Sequence, residues 1–141
     1  MFKSIAHIGI AVKDIDASKA LFAKLFGKAP DRDETLPEHK VKAAMFDLGD
    51  AHIELTESLD PASPVARFLE KRGEGVHHVS FEVEDIGREL VRLRQLGFQL
   101  IDETPRAGAD GCMVAFLHPK STNGVLVEIS QKRRDTSGKQ G

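Results

Sequence analysis

The sequence predicts an α+β fold built from two paired βαβββ modules that join across a cleft. Three observations carry this expectation. A segment near the start recurs about half a chain later, each copy is followed by a stretch of helical spacing, and each half closes on a strand with one glutamate among apolar residues.

The repeat is visible when Ala6-His7-Ile8-Gly9-Ile10-Ala11-Val12-Lys13-Asp14-Ile15 is laid over His77-His78-Val79-Ser80-Phe81-Glu82-Val83-Glu84-Asp85-Ile86. His7 falls on His78, Val12 on Val83, Asp14 on Asp85 and Ile15 on Ile86, at an offset of 71 residues. Each copy alternates as a strand does and ends on an aspartate suited to cap a helix.

In the first half, Ile15, Ser18, Phe22 and Leu25 recur at helical intervals and Gly27 stops the turn. In the second, Ile86, Leu90, Leu93 and Leu96 do the same, with Gly97 as the stop. Strand candidates are residues 4–12, 41–48 and 51–57 in the first half, and 77–83, 99–103, 112–118 and 124–130 in the second. The first half therefore shows one strand fewer than the pattern asks for. Between the halves, Ser63 as N-cap, Pro64 at the first helical position, Phe68 and Leu69 on one face and Gly73 at the stop predict a linking helix over 63–73. Module one then spans 1–58 and module two 75–131, in one domain over 1–131; the polar stretch 132–141 has no apolar period and reads as a flexible tail.

Strand alternation sorts the polar side chains. His7 shares a face with Gly9 and Ala11, and His78 with Ser80 and Glu82, while His77 points the other way. Glu54 shares a face with His52 and Thr56, and Glu128 with Leu126 and Ser130. Glu54 follows His7 by 47 residues and Glu128 follows His78 by 50, so each module offers one histidine and one glutamate opposite its apolar face. Should the modules join about a pseudo-twofold axis, His7, Glu54, His78 and Glu128 converge. Two imidazoles and two carboxylates suit a divalent ion. A lone strand histidine is more often a hydrogen-bonded structural residue and a lone glutamate solvated, so the symmetric recurrence is what favours the metal. His39, His52 and His77 lack a repeat partner and are read as structural or surface residues.

Composition narrows the partners. With 40% hydrophobic and 30% charged residues, the chain can build a core and is not expected to be disordered. A net charge of −2 without a long basic run argues against nucleic acid. No apolar run approaches the length of a membrane span, and MFKSIAHIGIAV is too short and irregular for a signal peptide. The expected location is the cytoplasm, or the mitochondrial matrix for a eukaryotic chain freed of its transit peptide. The single cysteine, Cys112, excludes an intramolecular disulfide framework.

Over residues 3–131 the chain resembles the vicinal oxygen chelate superfamily. Its finer features are most similar to the methylmalonyl-CoA epimerase family: HIGIAVKDID (7–16), LPEHKVKAAMFDLGDAHIEL (36–55), SPVARFLEKRGEGVHHVSFEV (63–83) and AFLHPKSTNGVLVEI (115–129). The resemblance implies two modules forming a cupped mixed sheet around a metal-binding cleft. It implies His7, Glu54, His78 and Glu128 as ligands of one divalent ion per chain, with cobalt the first choice and manganese, nickel or zinc as alternatives. It also implies an acyl-CoA thioester substrate and a homodimer. Some epimerases carry Gln at the position of Glu54. Glyoxalase I has a similar ligand set, but its usual Asp-Pro-Asp-Gly turn is replaced here by His118-Pro119-Lys120-Ser121-Thr122. A glyoxalase I-type lyase and a metal-free binding protein of the same fold are the alternatives.

The implied reaction interconverts (2R)- and (2S)-methylmalonyl-CoA through removal of the C2 proton. Inversion is most direct with a proton-transfer group on each face. The family's base position falls on Glu38, and Glu128 is the candidate on the opposite face. Lys120 and Ser121 lie in a turn between strands, where Pro119 and Asn123-Gly124 account for them as turn residues; the alternative is contact with the substrate's carboxylate or CoA moiety.

Overall fold

The computed structural model describes residues 1–133; of the tail expected over 132–141, residues 134–141 lie outside the described residues. Module one runs β1 (Phe2–Ala11), α1 (Ile15–Phe26), β2 (Arg32–Leu36), β3 (Val41–Leu48) and β4 (Ala51–Ser58). Helix α2 (Pro64–Arg72) leads to β5 (Gly75–Val83), α3 (Ile86–Gln95), β6 (Arg106–Ala107), β7 (Met113–Leu117) and β8 (Val127–Gln131). The strands form one curled mixed sheet in the order β2-β3-β4-β1-β5-β8-β7-β6. β1 pairs with β4 and β5 with β8 in parallel, while β1 and β5 pair antiparallel at the centre. That arrangement is a pseudo-twofold about the β1–β5 seam.

Local chemistry explains the helices. The Asp14 carboxylate accepts the amides of Asp16 and Ala17, and Gly27, at φ 73°, ends α1 in the left-handed region. Asp85 caps α3 through the amide of Arg88. The Ser63 hydroxyl accepts the amide of Ala66 at 3.0 Å, and Pro64 occupies the first turn of α2.

The two modules bury two separate outer cores. Under α1, Ile15, Phe22 and Phe26 pack on Ala44, Phe46 and Leu55; under α3, Ile86, Leu90 and Leu93 pack on Ala115, Leu117 and Ile129. A third cluster lies on the concave side, where Val65, Phe68 and Leu69 of α2 cover Ala11 and Val41. Helix α1 contacts β3 and β4, and α3 contacts β7 and β8. The outer face of the central pair is consequently left with an apolar stripe: Phe2 stacks on Phe81 at 5.5 Å, and Ile5 and Val76 are 49% and 59% exposed.

Several expectations change. The strand missing from module one is β2, whose sequence Arg32-Asp33-Glu34-Thr35-Leu36 contains one apolar residue; pairing with β3, not its own hydrophobicity, holds it. The strand expected at 99–103 does not form. Leu100 makes only an isolated bridge to Leu117, and the Asp102 carboxylate takes the Phe116 amide that a ladder would have used. The edge strand is instead β6. Leu25 and Leu96, expected on buried helix faces, are 70% and 63% exposed; Phe26 and Phe22 do the packing in α1. Among the described residues no helix is long and apolar enough to cross a membrane.

Leu90→Ala is expected to cost about 2–5 kcal/mol as a cavity in the α3 core, whereas Leu25→Ala should change stability by under about 0.5 kcal/mol. Urea unfolding of the two variants checks the contrast.

Candidate functional site

The curled sheet encloses a cavity of about 730 Å³ on its concave side. Its floor is set by the seam register. His7 stands opposite Ser80 and Gly9 opposite His78, so each histidine faces the small residue equivalent to its partner's neighbour two positions on. Gly9 is paired with Glu54 on one side and Ser80 with Glu128 on the other. The twofold thus delivers both glutamates to the same level as the imidazoles. The requirement for glycine is direct: a Cβ on residue 9 would clash with the His78 ring, 2.1 Å from its Cε1.

All four side chains are buried. His7 Nε2 lies 2.9 Å from His78 Nε2, 3.2 Å from Glu128 Oε1 and 3.6 Å from Glu54 Oε1. His78 Nε2 lies 3.8 Å from Glu54 Oε1 and 4.0 Å from Glu128 Oε1. Four candidate donor atoms therefore converge on one point, and Glu128 Oε1 is buried without a hydrogen-bond partner. Two imidazole nitrogens and two carboxylate oxygens fit a divalent cation of the cobalt, nickel, zinc or manganese type.

Burial and mutual charge divide these groups. Burial opposes charge on His7, but the Glu54 carboxylate and the Glu128 carboxylate 3.2 Å away outweigh it and raise the His7 pKa. Burial, aided by the charges of His7 and His77, pushes His78 down to about 3 despite Glu128. Burial raises Glu54 to about 7, with the Glu128 charge adding to it and His7 opposing. Burial would raise Glu128 too, yet the close approach of His7 and the neighbouring His78 hold it at about 2.

Two histidines read as bystanders border this cluster. His77 was expected to point away, but a β-bulge lies there: Gly9 pairs with His78 and Ile10 with Val76, leaving His77 as the extra residue. The bulge turns the His77 ring edge-on to Phe68 of α2 and brings its Nδ1 to 3.0 Å from His78 Nδ1. A proton on His78 Nδ1 would donate to His77 and leave the Nε2 lone pair toward the cluster. His52 stacks on His7 with ring centroids 4.8 Å apart, and its Nε2 is buried and unpartnered. Its place two residues before Glu54, on the same face, was legible in the sequence; the bulge at His77 was not.

Of the remaining predicted residues, Glu38 lies in the 3-10 turn Pro37–His39 and borders the cavity with an exposed side chain. Its neighbour His39 donates from Nε2 to the Ala107 carbonyl at 2.6 Å, tying that turn to β6 across the cleft. Lys120 and Ser121 occupy a 3-10 turn between β7 and β8 and are not among the cavity's lining residues. The Ser121 hydroxyl accepts the Gln99 amide at 3.2 Å and donates to the His118 carbonyl at 3.0 Å, so it pins the turn.

Comparison with known proteins points the same way. Residues 6–116 match the Glyoxalase/Bleomycin resistance protein/Dioxygenase superfamily model. The chain is 43% identical to the uncharacterized protein YqjC of Bacillus subtilis, covering 92% of each chain. It is 38% identical to the ethylmalonyl-CoA/methylmalonyl-CoA epimerase of Cereibacter sphaeroides, covering 93% of this chain and 99% of that one. A variant of Streptomyces coelicolor methylmalonyl-CoA epimerase, solved in complex with 2-nitronate-propionyl-CoA, superimposes with a TM-score of 0.91 at 33% identity, covering 94% of this chain and 96% of the other.

Gly9→Ala is expected to destabilise the fold by about 1–3 kcal/mol through overpacking against His78. Adding His78→Ala should recover most of that loss. A double-mutant cycle by urea unfolding reads the coupling directly.

Proposed function

The chain belongs to the glyoxalase/bleomycin resistance protein/dioxygenase superfamily, and from that premise we propose that it is a metal-dependent epimerase interconverting (2R)- and (2S)-methylmalonyl-CoA. The observation that carries this reading is the approach of Glu54, His78 and Glu128 to within 3.6 Å of His7 Nε2 in a cavity bordered by Glu38. The printed name of the Cereibacter relative and the acyl-CoA ligand of the Streptomyces structure support the substrate class. A nitronate is a planar anion with two oxygens, the shape of the enolate that C2 deprotonation produces.

The C2 proton lies between a thioester carbonyl and a carboxylate, and its removal leaves charge on the thioester oxygen. A divalent cation held by His7, Glu54, His78 and Glu128 supplies Lewis-acid stabilisation of that charge. On a six-coordinate ion these four donors would leave room for a substrate that binds through two oxygens. Glu38, exposed at the cavity wall, is the group that removes or returns the proton on one face. Glu128 is assigned to the other face. Its carboxylate is held strongly ionised, which makes it the weaker base of the two. Gly9 and Ser80 leave room above the imidazoles, and His77 holds His78 in place through the 3.0 Å contact between their Nδ1 atoms.

We also propose a homodimer formed through the apolar stripe on the outer face of β1 and β5. Neither α1 nor α3 covers it, and a second copy would apply the same stripe about a twofold axis.

Four outcomes follow. Wild-type protein should exchange the C2 proton of methylmalonyl-CoA into heavy water, and a chelator should stop it; persistence of full exchange in chelator would remove the metal from the reaction. His78→Ala should lose tight metal binding with the fold retained, read by elemental analysis and circular dichroism. Glu38→Gln should keep its metal but slow exchange by about two to four orders of magnitude. For the dimer, Val76→Glu should shift the mass in light scattering from two chains to one.

A further inference from the structure

We propose that His52 is a further ligand of the metal ion in the substrate-free protein, and that a bidentate substrate displaces it. The inference rests on the reading above that the cluster binds a divalent cation. Its basis is geometric. His52 and His7 are Cα partners on adjacent parallel strands, and Glu54 follows two residues later on the same face. One ligand atom each from His7, His52 and Glu54 lie within 4.8 Å of one another, a donor set that shares His7 with the set of His7, His78 and Glu128. The two rings stack at 28°, so their edges run together toward the same space.

His52 Nε2 is buried and has no hydrogen-bond partner. A buried polar atom without a partner is costly, and a cation or a ligand group at that point removes the cost. The sheet itself does not ask for histidine there. When Glu54 is laid on Glu128, the residue equivalent to His52 is Leu126. Charge does not forbid a cation either. Arg32 lies in the same wall, but Asp47 holds its guanidinium at 2.7 and 2.8 Å and Asp110 lies 3.4 Å from its Nε, so this group is negative in sum.

With His52 bound beside the other four ligands, only one of six octahedral positions is open. A substrate that chelates through two oxygens needs one protein ligand to leave. His52 is the ligand to go, because its donor atom groups only with those of His7 and Glu54, whereas His7, Glu54 and Glu128 all lie within 4.0 Å of His78 Nε2.

The test loads the full chain with Co²⁺ and counts coordinated imidazoles by X-ray absorption and pulsed electron paramagnetic resonance. Three are expected in the wild type and two in His52→Leu, a residue the equivalent site in module two already carries. His52→Gln, which keeps a polar group of similar reach, should also give two and serves if the leucine variant fails to fold. Adding methylmalonyl-CoA to the wild type should lower its count from three to two. A wild-type count of two, or a count of three that survives the substitution, overturns the ligand assignment while leaving the epimerase reading intact. A count that stays at three with substrate bound overturns the displacement. Absence of bound cobalt in the wild type overturns this inference together with the metal-dependent reading beneath it.

Discussion

Everything in the cleft depends on how β1 lies against β5. Their antiparallel register sets His7 against Ser80 and Gly9 against His78. A slip of one residue would turn both imidazoles into the outer cores and bring isoleucine and valine to the floor. The register is held from both sides. The apolar faces of the flanking strands are committed to α1 and α3, and the parallel partners β4 and β8 lock Glu54 and Glu128 level with the seam. The bulges along the seam absorb the curl that closes the sheet into a cup, and one of them gives His77 its place.

That register imposes a cost the fold must meet. Two buried imidazoles that lie within 4.0 Å of each other and of two buried carboxylates cannot all take their ordinary charge states alongside those carboxylates. The outcome is uneven despite the symmetry of the strands. Glu128 receives the closer approach from His7 and stays strongly acidic; Glu54, farther away, is pushed to about 7. Equivalent residues on a pseudo-twofold thus acquire different electrostatics from differences of a few tenths of an ångström. The separate outer cores supply the apolar burial against which such a polar floor can be held.

Much of this was legible before any coordinates. The 71-residue offset located both central strands, and the capping aspartates and stopping glycines placed α1 and α3 to within a residue or two. The strand parity of His7, Glu54, His78 and Glu128 was enough to bring them to one face. Illegible were the features in which tertiary context overrides local pattern. β2 is a polar edge strand that its neighbour recruits, and Asp102 replaces ladder bonding with a side chain. In α1 the sequence offers two apolar stripes, and only packing against Phe46 chooses Phe22 and Phe26 over Leu21 and Leu25. The repeat itself misled in one respect: it drew attention to what recurs and away from His52, which does not.

The floor and the mouth of the cleft have different origins. The floor is strand-borne and nearly symmetric. The mouth is built from the edge strands β2 and β6 and the 3-10 turns after them, which are equivalent in place but unlike in sequence and in bonding. Asp110, at φ 61° in the turn after β6, donates its amide to Glu34 at 2.9 Å and sets its carboxylate 3.4 Å from Arg32, while His39 reaches the Ala107 carbonyl. These bonds cross from module two to module one over the cavity, and one of them anchors the turn that carries Glu38. A symmetric floor can offer chelation to any substrate with two suitable oxygens. Discrimination among such substrates has to come from groups that break the symmetry, and in this chain those groups are concentrated at the mouth. The β1–β5 seam is therefore the conserving constraint of the architecture, and the segments 32–40 and 106–112 are where its chemistry can be made specific.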